Sequence, residues 1–116
     1  MATVLVVEDE LLIRELVAEE LELAGFTALT ARDADSAISI LEVRQDVRLL
    51  FTDVDMPGSM DGLKLAAAVR DRWPPVIITT GKVRPLAIPA DAIFLPKPYL
   101  TRDVVAAIKT FRGMSD

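Results

Sequence analysis

Residues 4–9 read Val4-Leu5-Val6-Val7-Glu8-Asp9, a short apolar run that stops on two acids. The pattern returns at Leu49-Leu50-Phe51-Thr52, which stops at Asp53. Short runs of this kind, rich in β-branched residues, are typical of buried strands. Each run therefore predicts a strand whose carboxyl end carries acidic side chains.

Two later apolar runs end on other polar groups. Val76-Ile77-Ile78 is followed by Thr79-Thr80, and Ile93-Phe94-Leu95 is followed, after one proline, by Lys97. Helical patterns lie between most of these strands, and alternation of strand and helix predicts an α/β fold with a parallel sheet. In such a sheet, the carboxyl ends of the strands meet at the edge where ligands bind.

Five polar side chains are therefore expected at one edge of the sheet: Glu8, Asp9, Asp53, Thr80 and Lys97. Three acids, one hydroxyl and one amine suit a divalent cation together with a phosphoryl group, because Mg²⁺ prefers oxygen ligands and a carboxylate can attack phosphorus. Taken singly, Asp9 could instead be a helix N-cap, and Asp53 could begin a simple turn before Pro57-Gly58.

The composition narrows the class of protein. The chain has 116 residues, 52% of them hydrophobic, which predicts a single domain over residues 1–116 with a packed core. It contains no histidine and no cysteine, which excludes imidazole bases and thiol chemistry. No apolar run approaches the roughly 20 residues of a membrane span. With a net charge of −5, we expect a cytoplasmic domain that binds neither nucleic acid nor membrane.

Strands are expected at 3–7, 26–30, 48–53, 76–80 and 92–95. The first helix is predicted to turn Ile13, Leu16, Val17, Leu21 and Ala24 inward and to close on Gly25 in a left-handed conformation. Asp33 is the predicted N-cap of the second helix, whose inner stripe is Ala34, Ala37, Ile38 and Leu41.

Two further helices are predicted, one from Asp61 and one from near Leu100 or Thr101. The last helix is expected to turn Val104, Val105, Ile108 and Phe111 inward. Between the fourth and fifth strands, Pro85 and Pro89 interrupt the segment 81–91, so that the helix expected there is short or missing.

Five motifs stand in order at the predicted strand ends: Val6-Val7-Glu8-Asp9-Glu10, Thr52-Asp53-Val54-Asp55-Met56-Pro57-Gly58, Met60-Asp61-Gly62, Ile78-Thr79-Thr80-Gly81 and Leu95-Pro96-Lys97-Pro98-Tyr99. Together they make the chain resemble the receiver domain of two-component response regulators over essentially its whole length. The resemblance implies a flavodoxin-like, doubly wound parallel sheet of five strands in the order 2-1-3-4-5, with helices on both faces.

The resemblance also implies a role for each site residue. Asp53 corresponds to the phosphoacceptor, with Glu8 and Asp9 as the acidic pair that binds Mg²⁺ (or Mn²⁺), Asp9 directly and Glu8 through water. Asp53 and the backbone carbonyl of Asp55 complete the implied metal ligands. Thr80 corresponds to the switch hydroxyl, Lys97 to the lysine that contacts the phosphoryl oxygens, and Phe94 to the rotating switch aromatic.

The implied function is a signalling switch in a phosphorelay: a histidine kinase or a histidine phosphotransfer protein phosphorylates Asp53. Such a domain is not an enzyme beyond assisting its own phosphorylation and dephosphorylation. Two alternatives stay open. Asp53-Val54-Asp55 also resembles the nucleophile motif of haloacid-dehalogenase-type phosphatases, and a degenerate receiver would act only by binding a partner.

Two further expectations concern self-association and the organisation of the whole protein. A homodimer, if formed, is expected to be weak and not to use the face of the fourth helix. Helix 1, the last helix or the loop 82–90 would then supply any partner contact. We expect a stand-alone receiver, with a piece of a larger regulator or hybrid kinase as the alternative.

Overall fold

The computed structural model describes residues 3–53, 76–80, 93–96 and 100–109. Its strands are β1 Thr3–Val7, β2 Thr27–Ala31, β3 Val47–Asp53, β4 Val76–Thr80 and β5 Ile93–Pro96. All pairs are parallel, and the order in the sheet is β2-β1-β3-β4-β5. The predicted α/β fold and its strand order are confirmed.

Three helices lie in the described ranges: α1 Leu11–Leu23, α2 Ala34–Val43 and α3 Thr101–Lys109. The helix predicted from Asp61, the short or missing helix within 81–91 and the inward position of Phe111 lie outside the described residues. None of the described helices has the length and apolar character needed to cross a membrane.

The sheet is covered on both faces, which explains why β1 is apolar from Val4 to Val7. Successive side chains of a strand point to opposite faces. Val4 and Val6 share one core cluster with residues of β3, α1 and α3, namely Leu49, Phe51, Val17, Leu21, Val104 and Ile108. Leu5 and Val7, also fully buried, point to the other face, where α2 contacts β1 and β2.

The end of α1 shows why β2 begins at Thr27 and not at residue 26. Gly25 adopts φ 97°, the left-handed conformation predicted for it. The Gly25 N–H donates to the Glu22 carbonyl (3.1 Å) and the Phe26 N–H to the Leu21 carbonyl (3.0 Å). These two bonds form a Schellman motif, in which the second residue after the cap still belongs to the helix end.

The buried face of α1 is narrower than predicted. Val17 and Leu21 are fully buried and Ile13 is half-buried, but Leu16 is 47% exposed and Ala24 is exposed. The contact follows a seam through positions 17 and 21, which are one turn apart, and Leu16 lies about 100° around the helix from Val17. The prediction that Leu16 and Ala24 face inward is therefore wrong.

The start of α2 matches the prediction. The Asp33 carboxylate accepts a hydrogen bond of 2.8 Å from the Ser36 N–H, and this bond holds the pKa of Asp33 below its usual value. Ala34, Ala37 and Leu41 are buried against the sheet, while Ile38 is half-buried.

An arginine–carboxylate pair closes the turn between α2 and β3. The Arg44 guanidinium donates to both Asp46 carboxylate oxygens, at 2.9 and 2.7 Å, and the Thr3 hydroxyl donates to the same carboxylate at 3.4 Å. The hydrogen bonds from Arg44 lower the pKa of Asp46 and, in turn, raise that of Arg44. The turn is thereby tied to the first residue of β1.

A side chain covers part of the outer edge of β2. The Ala31 carbonyl accepts from the Glu8 N–H on the β1 side. The backbone groups of successive residues in a strand point to opposite sides. Ala28 lies three residues before Ala31, so its N–H points away from β1, to the open edge, where it donates to the Glu22 carboxylate at 3.0 Å.

Candidate functional site

The site lies at the carboxyl ends of β1 and β3, neighbours at the centre of the sheet. Val7 of β1 and Thr52 of β3 form the last pair between these two strands. The residues that follow them, Glu8 and Asp53, therefore lie side by side at the same edge of the sheet. This is the edge where ligands bind in open α/β sheets.

Three carboxylates meet at this edge. Glu8, Asp9 and Asp53 each offer an oxygen, and these oxygens all lie within 4.8 Å of one another. Glu8 is fully buried and Asp53 is 2% exposed, whereas Asp9 is exposed. Three oxygen donors at this spacing, in a sequence without histidine or cysteine, fit a hard divalent cation such as Mg²⁺ and do not favour zinc.

Glu8 is anchored at three points. Its N–H donates to the Ala31 carbonyl at 3.0 Å, which extends the β1–β2 ladder by one residue. Its carboxylate accepts from the Glu10 N–H at 3.0 Å, and its carbonyl accepts from the Arg14 guanidinium at 2.8 Å. The longer side chain of glutamate thus folds back onto its own loop, which leaves Asp9 as the solvent-facing acid of the pair.

Helix capping does not explain the acids after β1. Glu10 is the N-cap residue of α1, and its side chain makes no capping hydrogen bond. The first bond of the helix runs instead from the Arg14 N–H to the Glu10 carbonyl at 3.0 Å.

Asp53 is held as the last residue of β3. Its backbone pairs with Thr79 of β4, and its carbonyl accepts a hydrogen bond of 3.0 Å from the buried Thr52 hydroxyl. The Asp53 carboxylate therefore belongs to a residue whose backbone is fixed on the strand.

The other predicted site residues are placed only in part. Thr80 ends β4 at the same edge, where its backbone pairs with Pro96, and Phe94 lies in β5 opposite Ile78. Lys97 and Asp55 lie outside the described residues. The roles of all four stay predictions.

Arg14 is a site neighbour that the sequence pattern did not reveal. None of the predicted motifs includes Arg14, but its guanidinium contacts the Glu8 carbonyl. One signal was present: a cation near the start of a helix opposes the helix dipole, so that a nearby acceptor would stabilise Arg14 at this position.

Comparison with known proteins agrees with the geometry. A family model described as the response regulator receiver domain matches residues 4–109. The phosphate regulon transcriptional regulatory protein PhoB of Pseudomonas aeruginosa is 33% identical over 117 residues, covering 92% of this chain and 50% of PhoB. The transcriptional regulatory protein CpxR of Escherichia coli K12 is 34% identical over 116 residues, covering 94% and 48%. The chain thus spans about half the length of these curated relatives.

Solved structures show the same architecture. The response regulator protein TrrA of Thermotoga maritima, in complex with Mg²⁺-BeF, superposes with a TM-score of 0.84 at 28% identity, covering 95% of this chain and 98% of TrrA. The chemotaxis protein CheY4 of Vibrio cholerae gives 0.83 at 27% identity, covering 95% and 98%. With an acid cluster at the carboxyl edge of a 2-1-3-4-5 sheet and a family match over nearly its whole length, the chain belongs to the receiver domains of two-component response regulators, a family of signalling switches and not of classical enzymes.

Proposed function

We propose that Asp53 is the phosphoacceptor of this receiver domain and that a histidine kinase or a histidine phosphotransfer protein is the donor. The observation that carries the proposal is the approach of the Glu8, Asp9 and Asp53 carboxylate oxygens to within 4.8 Å. Of the three, Asp53 stands at the end of the central strand β3, while the other two belong to one loop after β1.

The transfer needs a nucleophile and charge compensation. A carboxylate oxygen of Asp53 would form a bond to phosphorus while the bond from phosphorus to the donor imidazole nitrogen breaks, and the nitrogen keeps the electron pair. The product is an acyl phosphate. Because a carboxylate and a phosphoryl group are both negative, the approach is unfavourable unless cations lie nearby.

Glu8, Asp9 and Asp53 would hold the divalent cation, with the Asp55 backbone carbonyl as a further ligand. When bound, Mg²⁺ would offset the negative charge that gathers at the phosphoryl oxygens. The three carboxylate oxygens fit this ion, and the relative TrrA, which forms a complex with Mg²⁺-BeF, supports the same chemistry. Mn²⁺ has similar ligand preferences.

Thr80 and Lys97 would act on the phosphoryl group from the other side of Asp53. Thr80 ends the strand next to β3, and Lys97 follows directly after β5 in the sequence. The Thr80 hydroxyl would donate to a phosphoryl oxygen only when that group is present, and this difference would drive the switch, with Phe94 as its second element.

The exposed part of α1 supports a contact with the phosphodonor. Leu12 and Leu23 are 70% and 77% exposed, and Leu16 lies between them. The helix begins two residues after Asp9, so that a partner seated on these leucines lies beside the site. Glu15, Glu19 and Glu22 are exposed on the same helix, which favours a partner with basic residues over a second copy of this chain.

Labelling by acetyl phosphate tests the proposal. Incubation with acetyl phosphate and Mg²⁺, followed by intact mass spectrometry, is expected to show the gain of one phosphoryl group that decays slowly. The label should be absent from Asp53→Asn and present in the control Glu42→Gln, an exposed acid on α2. Label retained in Asp53→Asn, or no label in the wild type, would contradict the assignment. Steady turnover of a phosphomonoester would indicate phosphatase activity instead.

A further inference from the structure

We propose that Arg14 is a positioning residue for the acidic site, and that its hydrogen bond to the Glu8 carbonyl sets the affinity of the site for a divalent cation. The inference rests on the cation site of the proposed function. It concerns a residue that is neither one of the proposed metal ligands nor one of the proposed phosphate contacts.

Arg14 joins the loop Glu8–Glu10 to the first turn of α1 by two bonds. Its backbone N–H donates to the Glu10 carbonyl at 3.0 Å, and its guanidinium donates to the Glu8 carbonyl at 2.8 Å. Within the loop, the Glu10 N–H donates to the Glu8 carboxylate at 3.0 Å. Two bonds from Arg14 and one inside the loop therefore fix the peptide that carries Asp9.

The strand side of the loop is fixed as well, by the bond from the Glu8 N–H to the Ala31 carbonyl. Arg14 supplies the matching restraint on the helix side. Without its guanidinium, the Glu8 carbonyl would lose this donor, and the peptide between Glu8 and Asp9 could rotate. Rotation would move both carboxylates relative to Asp53, which is held separately on β3.

The charge of Arg14 and its positioning role lead to opposite predictions for the cation affinity after its removal. As a positive charge at the Glu8 carbonyl, Arg14 would repel a cation bound at the site, so that neutralisation alone would tighten cation binding. As a positioning group it orders the ligands, so that its removal weakens binding. Loss of a group that orients metal ligands typically costs about 10-fold to 100-fold in affinity.

The experiment measures Mn²⁺ affinity by electron paramagnetic resonance of the free ion, on the full chain. Arg14→Met removes the charge and the donors but keeps the unbranched stem. The control Arg48→Met makes the same charge change at an exposed residue five positions before Asp53 on β3, about 16 Å along the strand. We expect about 10-fold to 100-fold weaker binding in Arg14→Met, no weakening in the control, and partial recovery in Arg14→Lys.

Hydrogen exchange of the Glu10 amide in the metal-free protein gives a second readout that needs no cation. It should quicken in Arg14→Met and not in Arg48→Met. Mn²⁺ binding by Arg14→Met as tight as, or tighter than, that of the wild type would overturn the inference. If the wild type itself binds no Mn²⁺, the proposed cation site fails, an outcome distinct from an unaffected variant.

If Arg14→Met does not fold, two variants that keep the positive charge, Arg14→Lys and Arg48→Lys, test the inference. Lysine is a point charge without the planar donor fork of arginine. Arg14→Lys is then expected to bind Mn²⁺ at least about threefold more weakly than Arg48→Lys, and equal affinities in this pair would overturn the inference.

Discussion

Neutralising Asp53 should stabilise the metal-free protein and remove most of its response to Mg²⁺. Glu8 and Asp53 are both buried, and their oxygens lie within 4.8 Å. Two unit charges at that distance repel by about 3.5 kcal/mol at an effective dielectric constant of about 20. Other contacts of Asp53 offset part of this repulsion, so that we expect Asp53→Asn to gain about 1–2 kcal/mol, or roughly 4–8 °C in Tm.

Mg²⁺ should act on the same repulsion in the wild type. A ligand present at about ten times its Kd stabilises the folded state by about 1.4 kcal/mol, which corresponds to roughly 6 °C in Tm. Asp53→Asn has lost one of the three carboxylates, so its Tm should rise by less than half of that amount. The wild type and the variant should therefore differ most without the cation and converge as Mg²⁺ is added.

The assay is thermal unfolding followed by circular dichroism, with and without MgCl₂, at one ionic strength adjusted with NaCl because screening alters surface charge effects. Glu19→Gln, a neutralised exposed acid on α1, is the control for net charge and should melt like the wild type. If metal-free Asp53→Asn melts at or below the wild type, or if Mg²⁺ shifts both proteins equally, the charge argument is wrong.

Three further outcomes are expected. Gly25→Ala should lower stability by about 1–2 kcal/mol in urea titrations, because Gly25 has φ 97°, a conformation that costs L-residues about this much. Because the pKa of Asp33 is lowered in the folded protein, the stabilisation by its carboxylate is complete above the unfolded-state pKa and is lost as the pH falls through the folded-state value. Asp33→Asn still caps α2 but does not titrate, so its stability should decrease less than that of the wild type below about pH 4. Leu16→Ser should slow phosphotransfer from a phosphorylated histidine donor by about tenfold, as for loss of an apolar interface anchor, with labelling by acetyl phosphate unchanged.

The sheet could be predicted because its signal is local. A run such as Val4–Val7 that ends on Glu8 fixes both the strand and its last residue, and parallel pairing then brings strand ends together whatever the loops do. Once β1 and β3 lie side by side, the shared edge also places Glu8 close to Asp53. The strand order was implied by the family resemblance, since apolar runs do not reveal which strand lies next to which.

The packing of α1 and the contacts around the site depend on geometry that the spacing of residues in the sequence does not encode. Leu16 matches the apolar period of α1, but only the seam around Val17 and Leu21 reaches the sheet. The Glu8 side chain closes on the Glu10 amide, and Arg14 reaches the Glu8 carbonyl. Both contacts depend on the path of a three-residue loop, which periodicity does not specify. Lys97 and the cytoplasmic location stay predictions.

The bond between Glu22 and the Ala28 amide has a consequence for self-assembly. An outer strand with unpaired amides is a template on which another chain can add a strand, the first step toward fibrils. In β2 the outward amide of Ala28 is already satisfied within the chain, and an incoming strand would have to displace a carboxylate and face its charge. Glu22, at the end of α1, thereby protects the edge strand β2 against the addition of a strand from another chain.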